Sequence, residues 1–299
     1  MVENKKKIQF EQIAVNIYFI ICCMFFVVPI MLVITSSFTS DVEIRLHGYS
    51  LLPREWSMVA FQTLFRVPQR IIQAYWVTAY TAIIGTVLST VVMGLIAYSL
   101  SRRDFAYRKI ITFYVFFTML FSGGLIPSYM FNTQVLGLRN SVWILLLLPL
   151  CNAWFIIIMR TFFQQIPSEI IESAKIDGAG ELRIFFTIIT PLSKPVFATI
   201  ALFCLLGRWN EWFIVLIYIT ESKLYTLQFL LQRILLEVDF VRNFVVNVPG
   251  IHHMINLREL PSLSLRYAMT VLAAGPMLLV FPFFQRYFTK GLTIGSVKG

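Results

Sequence analysis

The chain has 299 residues, of which 58% are hydrophobic and only 13% charged, and its formal net charge is +10. Soluble domains carry roughly 25% charged residues, so an ordinary aqueous globule is excluded and a bilayer protein is indicated. The positive balance does not mark a nucleic-acid binder either: the basic residues sit at the ends of apolar segments and form no dense patch, so they read as topology.

An all-α membrane protein follows, because six segments are long enough to cross about 30 Å of hydrocarbon as helices of about 20 residues. They run from Ile13 to Phe38, Ile71 to Leu100, Ile110 to Phe131, Ser141 to Phe163, Pro191 to Ile219 and Ala268 to Tyr287. The first follows Lys5, Lys6 and Lys7. It exceeds the usual secretory core of about 7–15 residues and no small-x-small site follows, so an uncleaved anchor is predicted. On the second, Thr81, Gly85 and Ser89 recur at four-residue spacing as a ridge that lets a neighbouring helix approach closely.

Arg102, Arg103, Arg108 and Lys109 fill the loop after the second segment. Arg160, Lys175, Arg183 and Lys194 flank the fourth loop, and Arg286, Lys290 and Lys298 follow the last segment. The positive-inside rule makes these regions and both termini cytoplasmic. The connections from Thr39 to Arg70 and Thr220 to Tyr267 mix basic with acidic residues and are predicted outside.

The fourth loop, from Ile166 to Pro195, is a charged amphipathic insert between apolar segments. Pro167 and Ser168 fit a helix start, and Glu169 and Glu172 suit the positive end of its dipole. Ile170, Ile171, Ala174 and Ile176 form a partial apolar face. Gly178 and Gly180 break the helix, and Pro191 opens the next apolar stretch, where a missing amide proton costs little. By itself this describes a helix, a bend and a second helix.

The fifth segment contains Gly207-Arg208-Trp209-Asn210-Glu211-Trp212-Phe213, the cluster within the spans that carries both charge signs. Charges in lipid cost at least about 2.5–3.5 kcal/mol each, so these side chains are expected to face a cavity or a partner. Two readings stand side by side. Tryptophan faces with Asn and Glu suit a sugar ring, making Arg208, Trp209, Asn210, Glu211 and Trp212 a substrate-pathway set. Alternatively, Arg208 and Glu211, at i and i+3, neutralise each other within the bundle.

Elsewhere the chemistry is thin. Cys22, Cys23, Cys151 and Cys204 fall in predicted spans without zinc-site spacing and are read as buried thiols. His252 and His253 have no evident third metal ligand, and no catalytic residue is assigned. No pair of interrupted segments of the kind used by secondary transporters is visible, and no nucleophile or metal set marks an intramembrane enzyme.

The run Glu172-Ser173-Ala174-Lys175-Ile176-Asp177-Gly178-Ala179-Gly180, with Ile188-Ile189-Thr190-Pro191, resembles the cytoplasmic "EAA" loop of binding-protein-dependent ABC importer permeases, although Thr190 stands where that pattern has Leu. Ala97-Tyr98-Ser99-Leu100-Ser101-Arg102 and Trp209-Asn210 resemble further family motifs. Gly123-Gly124-Leu125-Ile126-Pro127 and the tail from Gln285 to Thr293 resemble the carbohydrate-uptake branch, MalG-like and especially LplC-like.

The resemblance implies a type I importer permease of a bacterial cell membrane. Residues 1–40 hold a cytoplasmic N-terminus and anchor helix, 41–70 an extracellular connection, and 71–299 a five-helix core with a coupling loop at about 167–190. It implies ATPase coupling through Glu172, Ser173, Ala174, Asp177, Gly178, Ala179 and Pro191. The implied partners are a second homologous permease subunit, an ABC ATPase dimer and an extracellular sugar-binding lipoprotein. The chain has no G-x-x-x-x-G-K-[ST] loop, so ATP and Mg belong to the ATPase and no cofactor is expected on this chain. The expected cargo is a sugar or oligosaccharide, with a peptide or another small solute as the alternative.

Overall fold

The computed structural model describes residues 2–66, 68–247 and 263–295, and these are helices and turns with one isolated bridge between Thr39 and Trp56. Helices suit lipid because each satisfies its own backbone hydrogen bonds. His252 and His253 lie outside the described residues.

Two compact units emerge. The first comprises Met1–Pro68 and Leu231–Gly275. It opens with α1 (Val2–Ser37), whose Val15–Ser37 stretch reaches a mean hydropathy of 3.0 in a window that buries nothing against the chain. Short helices α2 (Asp41–His47) and α3 (Val59–Leu64) follow. The Asp41 carboxylate accepts from the amides of Leu263 and Ser264, at 3.2 and 2.9 Å, and from the Ser264 hydroxyl at 2.6 Å.

The second unit comprises Gln69–Leu230 and Pro276–Gly299. It holds α4 (Pro68–Ser101), α5 (Arg108–Leu120), α6 (Leu125–Met130) with a π-helical turn at Phe131–Val135, α7 (Val142–Leu147) and α8 (Ala153–Phe163). Then come α9 (Ser168–Ile176), α10 (Glu181–Ile184), a second π-helical turn at Phe185–Ile189, α11 (Thr190–Leu192), α12 (Lys194–Trp209) and α13 (Phe213–Tyr218). Two long helices, α14 (Leu227–Asn247) and α15 (Leu263–Gly295), run through both units in sequence.

Among the described residues, Val15–Ser37, Pro68–Ser101 and Leu263–Gln285 are uninterrupted helices long and apolar enough to cross a membrane. The remaining expected spans are broken, which corrects the reading of continuous segments. The third bends by 116° between Leu120 and Leu125, where Gly124 adopts φ +84°. The fourth divides into α7 and α8, and Asn152 starts the latter by accepting from the Phe155 amide at 3.3 Å. Between α10–α11 and α12 the chain turns by 87°, at a point flanked by Pro191 and Pro195, which supply no amide protons. The fifth span breaks again after Trp209.

The core of the second unit joins Met93, Ala97 and Leu100 of α4 to Ile156, Met159 and Phe163 of α8, and to Val196 and Ile200 of α12. Ile171 and Ala174 of α9 belong to the same cluster. The cysteines depart from expectation: Cys23 and Cys151 are exposed on the chain and Cys22 and Cys204 half-buried, because helices apolar on every side need not bury a thiol within the protein.

Candidate coupling helix and pathway cluster

Helix α9 forms where the sequence places it. It starts after Pro167 with Glu169 in its first turn and Lys175 in its last, so each charge lies at the favourable end of the dipole. Its two faces differ sharply. Ile171 and Ala174 are buried, while Glu172 and Ser173 are exposed and Ile176, at 87% exposure, is almost wholly uncovered. Leu182 just beyond is also exposed.

The helix ends in a paired cap. The Ala179 amide donates to the Ala174 carbonyl at 2.9 Å, and that of Gly178 to the Lys175 carbonyl at 3.0 Å, with Asp177 as the last helical neighbour. Closing this cap requires the left-handed conformation that Gly178 adopts at φ +76°, which a side chain would disfavour. Glu172 to Ala179 therefore form one compact surface, whereas Pro191 lies separately on α11, beyond the π-helical turn. There the Thr190 hydroxyl donates to the Phe185 carbonyl at 2.9 Å, giving that threonine a local role in the turn.

A charged network that the sequence reading had not assembled joins α9 to the end of α4. Lys175 Nζ lies 2.6 Å from Glu181 and 3.1 Å from Asp104. The Tyr98 hydroxyl donates to Glu181 at 2.6 Å, and Arg102 donates to both Asp104 oxygens, at 3.1 and 2.9 Å. Arg160 of α8 donates from Nε to the Leu100 carbonyl at 3.1 Å, fixing a third helix to the same end. The Arg102 hydrogen bond, ahead of that from Lys175, holds the Asp104 carboxyl down at about 2, and the Lys175 ammonium is raised by Glu181 first and Asp104 second. Tyr98, Arg102, Asp104 and Glu181 border a cavity of about 280 Å³ with Leu95, Phe105 and Phe185. The signal was present in complementary charges on two short loops, Arg102 to Asp104 and Lys175 to Glu181, but sequence separation hid their meeting.

The pathway cluster divides by burial. Arg208 is 5% exposed, and its guanidinium donates to the carbonyls of Leu145 at 3.0 Å, Leu146 at 3.2 Å and Pro149 at 3.1 Å, and to the Ser89 hydroxyl at 2.7 Å. Gly85 leaves the room: a Cβ there would lie 2.5 Å from Arg208 Cζ. The small-residue ridge on α4 thus seats a cation within the same chain.

No ion pair joins Arg208 to Glu211 among the described residues. Glu211 instead accepts from the Ile214 amide at 2.8 Å and its carbonyl accepts from the Thr226 hydroxyl at 2.7 Å. Trp209 is buried, its ring 6.4 Å from that of Tyr75. Asn210 is exposed and accepts from Gln228 at 3.1 Å, and Trp212 is exposed too. Asn210, Glu211 and Trp212 occupy the break between α12 and α13, where backbone leaves the helix. Beside α13 lies a cavity of about 590 Å³ bordered by Gly123, Gly124, Pro127, Phe213 and Tyr218.

Comparison with known proteins agrees with this architecture. Residues 90–294 match the family described as "Binding-protein-dependent transport system inner membrane component". The chain is 38% identical over 273 residues to the "Polygalacturonan/rhamnogalacturonan transport system permease protein YtcP" of Bacillus subtilis (strain 168), covering 91% of this chain and 93% of that one. It is 35% identical to "Protein LplC" of the same organism, over 91% and 90% of the two chains. A solved structure, "Crystal structure of a bacterial ABC transporter involved in the import of the acidic polysaccharide alginate", superposes with a TM-score of 0.76 at 26% identity, over 94% of this chain and 97% of that chain.

Proposed function

This chain belongs to the family of binding-protein-dependent transport system inner membrane components, and on that premise we propose that it forms one side of a gated route admitting an oligosaccharide to the cytoplasm. It is a multi-pass membrane permease component, and ATP hydrolysis belongs to a separate ATPase. YtcP is named for polygalacturonan or rhamnogalacturonan transport and the solved structure for alginate import, which favours a sugar over the peptide alternative.

The observation that carries the coupling mechanism is the two-faced helix α9, rooted in the core by Ile171 and Ala174 while Glu172, Ser173 and Ile176 stay uncovered. We read that outer surface, with Asp177, Gly178 and Ala179, as the face on which an ATPase dimer docks. Pro191 acts behind it, where α11 turns into α12. ATPase closure then moves α9 with the helices it packs on. Six spans with both termini cytoplasmic, a second homologous permease subunit and a sugar-binding lipoprotein complete the assembly.

Asn210, Glu211 and Trp212 are proposed to line the route, because a chain break at membrane depth is tolerated where it borders a cavity. Arg208 and Trp209 support that break from behind. The test is reconstitution in proteoliposomes of this chain with its partner permease, ATPase and binding protein. ATP-dependent uptake of labelled oligogalacturonide is expected. Uptake of oligopeptides without any sugar overturns the reading.

A further inference from the structure

The contacts between α9 and the rest of its unit are of two kinds, and they do different work. Ile171 and Ala174 make an apolar patch that resists separation but is poor at fixing direction, because apolar burial is non-directional. The network of Tyr98, Arg102, Asp104, Lys175 and Glu181 is directional, and it closes on itself. Lys175 on α9 bridges Glu181 on α10 and Asp104 beyond α4, Glu181 returns to α4 through the Tyr98 hydroxyl, and Asp104 returns to the end of α4 through Arg102.

Tyr98 is 5% exposed, so the ring that anchors this circuit is locked by packing while the charged groups reach solvent. Exposed ion pairs add little to stability, so fold stability is not a sufficient reason for three of them to converge on one tyrosine hydrogen bond. Their geometric consequence is larger: α9 cannot swivel on its apolar patch without breaking a Lys175 bond to Glu181 or Asp104, the two groups that lead back to α4.

We infer that Tyr98, Arg102, Asp104, Lys175 and Glu181 are positioning residues for energy coupling, the linkage that converts displacement of α9 into movement of the long helix α4. This rests on the docking role given to α9 above. A linkage of this kind sets how much cargo moves per ATP, not whether the complex forms.

The experiment is transport stoichiometry in the reconstituted complete transporter, with labelled oligogalacturonide as the probe and complex yield and ATPase rate measured alongside. Tyr98→Phe, which removes a single hydroxyl, and Lys175→Met are expected to lower sugar moved per ATP by about threefold or more, while yield and ATPase rate stay within about twofold of wild type. Lys175→Arg should restore most of the ratio. Adding Tyr98→Phe to Glu181→Leu should be no worse than Glu181→Leu alone, because loss of the Glu181 carboxylate already removes the acceptor of the Tyr98 hydroxyl. An unchanged ratio in assembled Tyr98→Phe complexes, or losses that multiply in the double variant, overturns the inference. Wild-type complexes that hydrolyse ATP without moving sugar would instead remove the functional reading itself, and this inference with it.

Discussion

The guanidinium of Arg208 occupies the space that a side chain on Gly85 would need. A cation that the sequence groups with the substrate-pathway set is thus enclosed by α4 and by three carbonyls around the end of α7. Gly85→Val is expected to push Arg208 off its acceptors and to destabilise the chain by about 1–3 kcal/mol, as overpacking does. Thermal unfolding in detergent, compared with an exposed substitution on the same helix such as Val87→Ala, checks this.

Because Arg208 and Glu211 hold different partners, they should not rescue one another. Arg208→Gln leaves the Ser89 hydroxyl and three carbonyls short of donors and should lower assembled yield, whereas Glu211→Gln should retain a cap on Ile214 and assemble nearly normally. In the double variant the losses should add to within about 0.5 kcal/mol. Recovery of yield there would revive the ion-pair reading.

The cap of α9 separates two effects at Gly178. Alanine there must adopt φ +76°, at a local cost of about 1–2 kcal/mol. Proline cannot adopt that angle and also lacks the amide that reaches the Lys175 carbonyl. Gly178→Ala should therefore retain part of the sugar uptake and Gly178→Pro should abolish it while ATP is still consumed. Equal uptake by both variants would count against a role for the cap.

Side-specific labelling tests the topology and the docking face together. In a cysteine-free background, Arg103→Cys and Ser173→Cys should react from the cytoplasmic side and Glu55→Cys from the other, since all three positions are exposed. Addition of the ATPase should protect Ser173→Cys and leave Arg103→Cys reactive. Labelling of positions 55 and 173 from one side would refute the proposed orientation.

Acid should loosen the network before base does. Asp104 titrates at about 2 when held by Arg102 and near its ordinary value when released, so its contribution is complete above about pH 4 and is lost as the pH falls toward 2. Lys175 is raised, so its contribution persists through neutral pH and is lost only in strong base. The unfolding midpoint of purified protein should fall between pH 5 and 2, and Asp104→Asn should flatten that fall. The change will be small because Asp104 is 55% exposed.

The sequence by itself determined the membrane class, the helical content and the loop that would carry α9. Those features follow from local chemistry: uniform apolar runs, basic flanks, and a proline, acid and glycine at spacings a short helix requires. Tertiary structure decided which face of α9 is buried, because Ile171, Ala174 and Ile176 are alike in polarity and only the first two join the buried cluster that also holds Phe163 and Ile184. It also decided the fate of the charges. Arg208 stands three residues from Glu211 in sequence, yet finds Ser89 of α4, 119 residues away. Tyr98 and Glu181 meet across 83 residues. Long-range polar pairing depends on where helices cross and how closely glycine lets them approach, and neither is written in the local pattern of any one helix.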